Sequence, residues 1–141
     1  MSQTMTQYCC FHIGDGLYGI DALRVQEVVQ ARPTTPTPLA PPAVVGLMNL
    51  RGQIVTVLDV RKRLGIEPRP SAPTAIVVVQ TSDGAVGLLV DEIGDVADVA
   101  IEQMEPPPDT FRGNARSLVV AACKLPARLL VTLDVDKVVA L

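Results

Sequence analysis

Aromatic side chains are scarce in this chain of 141 residues, which has two tyrosines, two phenylalanines and no tryptophan. Its core must therefore be aliphatic, and its many valines and isoleucines, branched at Cβ, favour strands. Histidine occurs once, at His12, which excludes histidine-rich zinc sites and leaves acid–base networks short of their usual carrier. The 12 Lys and Arg residues form no run and the net charge is −3, so the electrostatic footprint of a nucleic-acid binder is missing. No apolar run approaches the ~18 residues that a membrane-spanning helix requires, so no membrane insertion is expected. The opening MSQTMTQYCC lacks the basic and apolar segments of a secretion signal. Cys9, Cys10 and Cys123 are an odd number of cysteines, and neighbours on a strand point to opposite faces, so Cys9 and Cys10 cannot readily share a partner or a metal. A cytoplasmic protein with reduced thiols is expected.

What is present is a β pattern. Hydrophobic residues make up 48% and charged residues 19%, the balance of a globular chain, here of single-domain length. Short apolar segments separated by turn residues predict strands near 7–13, 17–20, 25–31, 46–50, 53–58, 74–81, 86–90, 93–101, 117–124 and 128–133. DVRKRLG and DVDKVVAL each open on an aspartate suited to N-capping, which predicts short helices near 59–64 and 134–140, with Gly65 closing the first. Strands at this spacing imply barrels or a sandwich rather than alternating β–α units.

Two phrases repeat in order. DGLYGI at 15–20 returns as DGAVGL at 83–88, and LDVRK at 58–62 returns as LDVDK at 133–137. Asp-Gly between apolar strands predicts hairpins, and Gly19 and Gly87 suit close backbone approach or a bulge. The repetition suggests two similar halves. Proline-rich stretches at 32–42, 67–73 and 105–108 lack ladder N–H groups and read as connections. The P-x-x-P spacings at Pro33/Pro36 and Pro38/Pro41 also suit a polyproline ligand, although a stiff loop explains them as well.

Catalytic chemistry finds little to work with. Cys10 and His12 alternate onto one strand face and form a conceivable nucleophile pair, but lack an obvious third orienting group. Asp91, Glu92, Asp95 and Asp98 cluster without the spacing and glycine of a calcium loop, and read as a solvated strand face. Phosphate-loop, dinucleotide and nucleophile-elbow motifs are all missing. No cofactor and no metal is expected, and binding to other proteins is the function that remains.

The stretch VVGLMNLRGQIVTVLDVRKRLG (44–65) resembles the CheW family of chemotaxis coupling proteins. The resemblance extends to FHIGDGLYGIDALRVQEVV (11–29), GAVGLLVDEIGDV (84–96) and RLLVTLDVDKVV (128–139). It implies one mostly β domain over residues 1–141, built as two SH3-like β-barrel subdomains packed together with short helices. The halves would fall at roughly 14–66 and 74–141, with the N-terminal strand crossing between them.

It also implies a non-enzymatic adaptor that links the cytoplasmic tips of chemoreceptor helical hairpins to the regulatory domain of a CheA-type histidine kinase. Such an adaptor is cytoplasmic and recruited to the inner face of the membrane through its receptors. A non-flagellar pathway, such as twitching or gliding, could use the same fold. Carried over by position, Val25, Glu27 and Arg51 face the kinase, with Arg51 paired to Glu27. Gly46, Ile54, Leu88 and Val90 fall near the receptor groove, since residues 86, 88 and 90 share one strand face. On pattern alone Arg51 reads as a solvated turn residue, and Val25, Gly46, Ile54, Leu88 and Val90 could equally be core residues.

Overall fold

A computed structural model describes residues 4–67, 72–111 and 113–140, so most of the middle proline-rich connection lies outside the described residues. The chain runs β1 (Met5–Ile13), β2 (Gly16–Asp21), a 3₁₀ turn (Ala22–Arg24), β3 (Val25–Gln30), β4 (Val44–Leu50), β5 (Gln53–Asp59) and α1 (Val60–Arg63). It continues through β6 (Ala75–Thr81), β7 (Gly84–Val90), β8 (Glu92–Ala100), a second 3₁₀ turn (Ile101–Gln103) and β9 (Met104–Glu105). It ends with α2 (Gly113–Leu118), β10 (Val119–Leu125), β11 (Arg128–Leu133) and α3 (Val135–Val139). The protein is mostly β, as its composition predicts.

The strands form two sheets, ordered β8-β1-β2-β11-β10-β9 and β3-β6-β7-β5-β4. All ladders are antiparallel except two. β2 runs parallel to β11, with Val131 opposite Tyr18, and β7 runs parallel to β5, with Leu58 opposite Leu88. The repeated phrases meet here. The DGLYGI strand lies beside the strand leading into LDVDK, and the DGAVGL strand beside the one leading into LDVRK. Each hairpin is thus lodged in the sheet built mainly from the opposite end of the chain, and the sheets do not coincide with halves at 14–66 and 74–141.

Both hairpins turn one residue earlier than Asp-Gly suggests. Ile13 pairs with Gly16 across Gly14-Asp15, with Gly14 at φ +61, and Thr81 pairs with Gly84 across Ser82-Asp83. In the second, the Thr81 hydroxyl donates to the Gly84 carbonyl at 2.8 Å and accepts from the Asp83 N–H at 3.1 Å, a local side-chain turn that displaces the predicted one. Gly87 is required by close approach: a Cβ there would lie 2.8 Å from Cγ2 of Ile76.

Three apolar clusters fill the interior. Met48, Leu50, Val55, Val57, Ile76 and Val78 form the core of the β3–β7 sheet. Cys10, Leu17, Val99, Cys123 and Leu130 form that of the other. The largest lies between the sheets and takes Phe11, Tyr18 and Ile20 from one side and Leu58, Val77 and Leu88 from the other. The scarcity of aromatics leaves Phe11 and Tyr18, stacked with ring centroids 6.3 Å apart, as its only buried rings.

Three arginines, two on α1 after β5 and one on the turn before β3, reach across this junction. Arg61 of α1 is buried, pairs with Asp91 and donates to the Glu67 carbonyl. Asp91 in turn accepts from the Gly14 N–H at 2.8 Å and donates its own N–H to the His12 carbonyl at 3.1 Å. Arg63 donates to the carbonyls of Val138 and Lys137 at 2.8 Å and of Ala140 at 3.1 Å, supplying partners to the end of α3. Arg24 clamps Asp136 bidentately at 2.7 and 3.1 Å.

Asp59 and Asp134 cap α1 and α3 as expected, and Gly65 takes φ +69 beyond α1. α2 was not predicted, and the strand expected from 117 starts at Val119. Six residues with neither an aspartate cap nor an apolar stripe carry no helical signal of their own.

Because Arg61→Ala removes the cation facing the half-buried Asp91 carboxylate, it is expected to lower unfolding free energy by up to about 3 kcal/mol. Urea denaturation of the variant beside the native chain measures this, and a loss under about 1 kcal/mol would mark the pair as energetically silent.

Candidate functional site

Arg51 sits at the tip of the β4–β5 hairpin. Leu50 pairs with Gln53, so Arg51 and Gly52 are the two central residues of the turn, at φ +51 and +86. Two positive φ values define the type I′ turn that matches strand twist, and Asn or Gly fills its first position most readily. An arginine there costs about 1–2 kcal/mol relative to a right-handed conformation. The Asn49 side chain supports the turn by accepting from the Gly52 N–H at 2.8 Å.

The guanidinium of Arg51 is paired with Glu27, as the sequence reading expects. β3 and β4 are the opposite edges of their five-stranded sheet, so this ion pair spans the seam where the sheet curls back on itself. The Arg51 hydrogen bond, above all, holds the Glu27 carboxyl below the usual carboxylate range, with the charges of Arg51 and Arg32 and a bond from Gln26 adding to it. Arg51 remains 69% exposed while Glu27 is 22% exposed, so the cation is the part offered to solvent. Val25, half-buried, packs against the central core from β3.

The four residues placed near a receptor groove separate sharply. Ile54 is 61% exposed, two residues beyond the turn glycine. Leu88 and Val90 are each 1% exposed within the inter-sheet core, so they shape the fold and no partner reaches them. Gly46 is buried where a Cβ would lie 2.5 Å from the Thr35 carbonyl oxygen, because Thr35 bridges to Leu47 and lays the proline-rich 31–43 loop along β4. That loop reads as a stiff connection, with Leu39 fully exposed at its tip.

A second exposed apolar surface escaped the sequence reading. Ile93 and Val96 of β8 stand out in solvent, with Met5 and Leu23 near the far end of the adjoining β1 and β2. β8 was expected as a strand, but alternation shows which residues share a face and not which face lacks a cover.

Cys10 and His12 do share one face, lining a cleft of about 440 Å³ with Asp95 and Arg128. The Cys10 thiol is buried and pushed up to about 11, by desolvation first and then by the charge of Cys9, with Asp95 adding and a backbone hydrogen bond from Ala97 opposing. A thiol held so high is protonated at neutral pH and is a poor nucleophile, which removes the chemistry the pair would need. Burial also raises Cys9 and Cys123, and all three cysteines are free. Among the described residues no three of His, Cys, Asp and Glu converge as metal ligands, and no helix is long and apolar enough to cross a membrane.

The raised Cys10 value has a signed consequence. Above pH 9 the unfolded chain releases a proton that the native chain keeps until about 11, so stability is complete below 9 and declines as pH rises through that window. Urea midpoints at pH 8 and pH 10 are expected to fall less for Cys10→Ala than for the native chain. Equal falls would contradict the assignment.

A family model for the CheW-like domain matches residues 7–141. Among curated proteins, the chain is 32% identical over 129 residues to chemotaxis protein CheW of Rhizobium meliloti, covering 91% of this chain and 83% of that one. It is 31% identical over 131 residues to chemotaxis protein CheW of Thermotoga maritima, covering 92% and 84%. Protein FrzA of Myxococcus xanthus is 29% identical over 103 residues, covering 72% and 64%. The crystal structure of the scaffolding protein TtCheW from Thermoanaerobacter tengcongensis superposes with a TM-score of 0.87 at 27% identity, covering 98% of this chain and 94% of that one. Two exchanged hairpins, a turn arginine closing the seam of a curled sheet, and a family match over nearly the whole length agree: this chain belongs to the CheW family.

Proposed function

We propose that the protein is a chemosensory adaptor which holds the regulatory domain of a CheA-type histidine kinase and the cytoplasmic hairpin of a chemoreceptor in fixed register, without turnover. It would work in the cytoplasm, brought to the inner face of the membrane by its receptors. The observation that carries the kinase contact is Arg51, an arginine kept in a left-handed turn where smaller residues fit better, yet largely exposed and oriented by Glu27. Strain retained at an exposed tip points to a role for the side chain beyond folding. Val25 and Glu27 back the surface from β3, and Ile54 adds an exposed apolar contact beside a charged one, a combination suited to a small interface. Gly46, Leu88 and Val90 contribute through the backbone and core that hold this tip. An exposed ion pair of this kind is worth only about 0–1 kcal/mol, so its service is orientation.

Coupling in a non-flagellar pathway, such as twitching or gliding, is the second reading, and the likeness to FrzA supports it. Both readings predict the same contacts and differ in which receptor is recovered.

Arg51→Asn separates the side chain from the backbone. Asn suits the turn, so the variant is expected to keep or raise its urea midpoint, by up to about 1 kcal/mol of relieved strain. It should nevertheless lose at least tenfold in kinase capture from lysate, about 1.4 kcal/mol or more. Undiminished capture of the kinase by the Asn variant would refute the assignment.

A further inference from the structure

The six-stranded sheet wraps around Cys10, Leu17, Val99, Cys123 and Leu130, and the cleft of about 440 Å³ opens at one end of that cluster. Its walls come from β1, β2 and β8, and the facing ends of β10 and β11 close it. The floor is apolar and uncharged, made by Leu17, Ala97, Leu125 and the protonated Cys10 thiol. The rim is charged, with Asp95 on the β8 side and Arg128 on the β11 side. The volume lies in the range of small-molecule sites, which favour the mouths of β-barrels.

Both rim residues are placed by departures from regular backbone. Cys9 pairs with Val96 and Phe11 with Ile93, so Gly94 and Asp95 together face the single residue Cys10, which is a bulge. Glycine suits this position, since a Cβ there would lie 3.3 Å from the Cys10 carbonyl oxygen. The extra residue turns Asp95 to the cleft, while Val96 returns to the opposite face. Across the cleft, Leu125 pairs with Arg128, so Pro126 and Ala127 are the two central residues of the β10–β11 turn, with Ala127 at φ +68. A left-handed alanine is strained, and this turn delivers Arg128 to the opposite lip. Charges of opposite sign in one cleft attract. Yet neither Asp95 nor Arg128 has an ion-pair or side-chain hydrogen-bond partner among the described residues. Glu92, opposite His12 on the ladder, adds a second carboxylate beside the imidazole. A lone anion would meet Asp95 here, and a lone cation would meet Arg128. A molecule carrying both charges a few bonds apart satisfies both lips, because a guanidinium takes a carboxylate bidentately and a carboxylate accepts from an ammonium. An apolar group on the same molecule would cover the floor.

We propose that this cleft binds a small zwitterion, an α-amino acid with an apolar side chain, its carboxylate on Arg128, its ammonium on Asp95 and its side chain over Leu17 and Leu125. The site is separate from the Arg51 tip and does not depend on the adaptor reading.

The test is an NMR titration of the native chain with L-leucine at constant ionic strength, beside N-acetyl-L-leucine, which lacks the ammonium, and L-leucinamide, which lacks the carboxylate. Leucine should give saturable shifts centred on the Gly94 amide and the methyl groups of Leu17, Ala97 and Leu125. Each analogue should bind about tenfold more weakly. Asp95 and Arg128 are exposed, so Asp95→Asn and Arg128→Gln should keep the native spectrum away from the cleft. Asp95→Asn should remove only the preference over the acetylated analogue, and Arg128→Gln only the preference over the amide. A merely structural role would not produce that crossed pattern. Shifts that do not saturate, shifts centred elsewhere, equal binding of leucine and either analogue, or either preference surviving its substitution would overturn the proposal. Kinase capture by Arg51→Asn involves none of these residues, so the two readings fail separately.

Discussion

Neither end of this chain can complete a sheet without the other. β2 needs β11 as its parallel neighbour and β5 needs β7, so each hairpin is inserted among strands from the far side of the sequence. Parallel pairing over such separations is entropically demanding to form, and the shared aliphatic core between the sheets supplies the compensating burial. Arg61 and Asp91 then help lock the junction, because a half-buried charge pair that also satisfies the Gly14 N–H favours one arrangement. The relative placement of the two small barrels is built into the connectivity and not left to a linker.

An adaptor needs such a constraint more than it needs stability. A protein that joins two others in register must keep its two binding surfaces at a fixed offset. The Arg51 tip lies on the five-stranded sheet and the exposed side chains of β8 on the six-stranded one. Each is made of exposed side chains on strands anchored in the common core. Arg51 and Glu27 close the seam of the five-stranded sheet, while α3, held by Arg24 and Arg63, ties the end of β11 in the six-stranded sheet back onto it. Buried thiols and a protonated Cys10 fit a structural interior.

Much of this was legible in the residues. Strand positions followed from runs such as AIVVVQT and RLLVTL, and the two short helices from their aspartate caps, because period and capping are local properties. The repeated phrases correctly signalled an internal correspondence, and the Arg51–Glu27 pair was anticipated from the family resemblance. What failed was nonlocal. Nothing in DGLYGI says that its strand lies beside residues 128–133. Period-two alternation put Leu88 and Val90 on one face but could not say that this face is covered by the other sheet, whereas Ile93 and Val96, equally apolar, are left uncovered. α2 forms in six residues without a cap or stripe, so local sequence had nothing to announce.

Native-state hydrogen exchange tests the central claim, that the two sheets form one cooperative unit, most directly. Amides of Val57 and Val78 report on one sheet, and those of Ile20 and Val131 on the other. The account predicts a single opening free energy for both groups, equal to the global unfolding free energy and lowered to the same extent in both by Asp91→Asn. If one group exchanged through an opening of lower free energy while the other stayed protected, the barrels would be separable modules and the fixed register would have no structural basis.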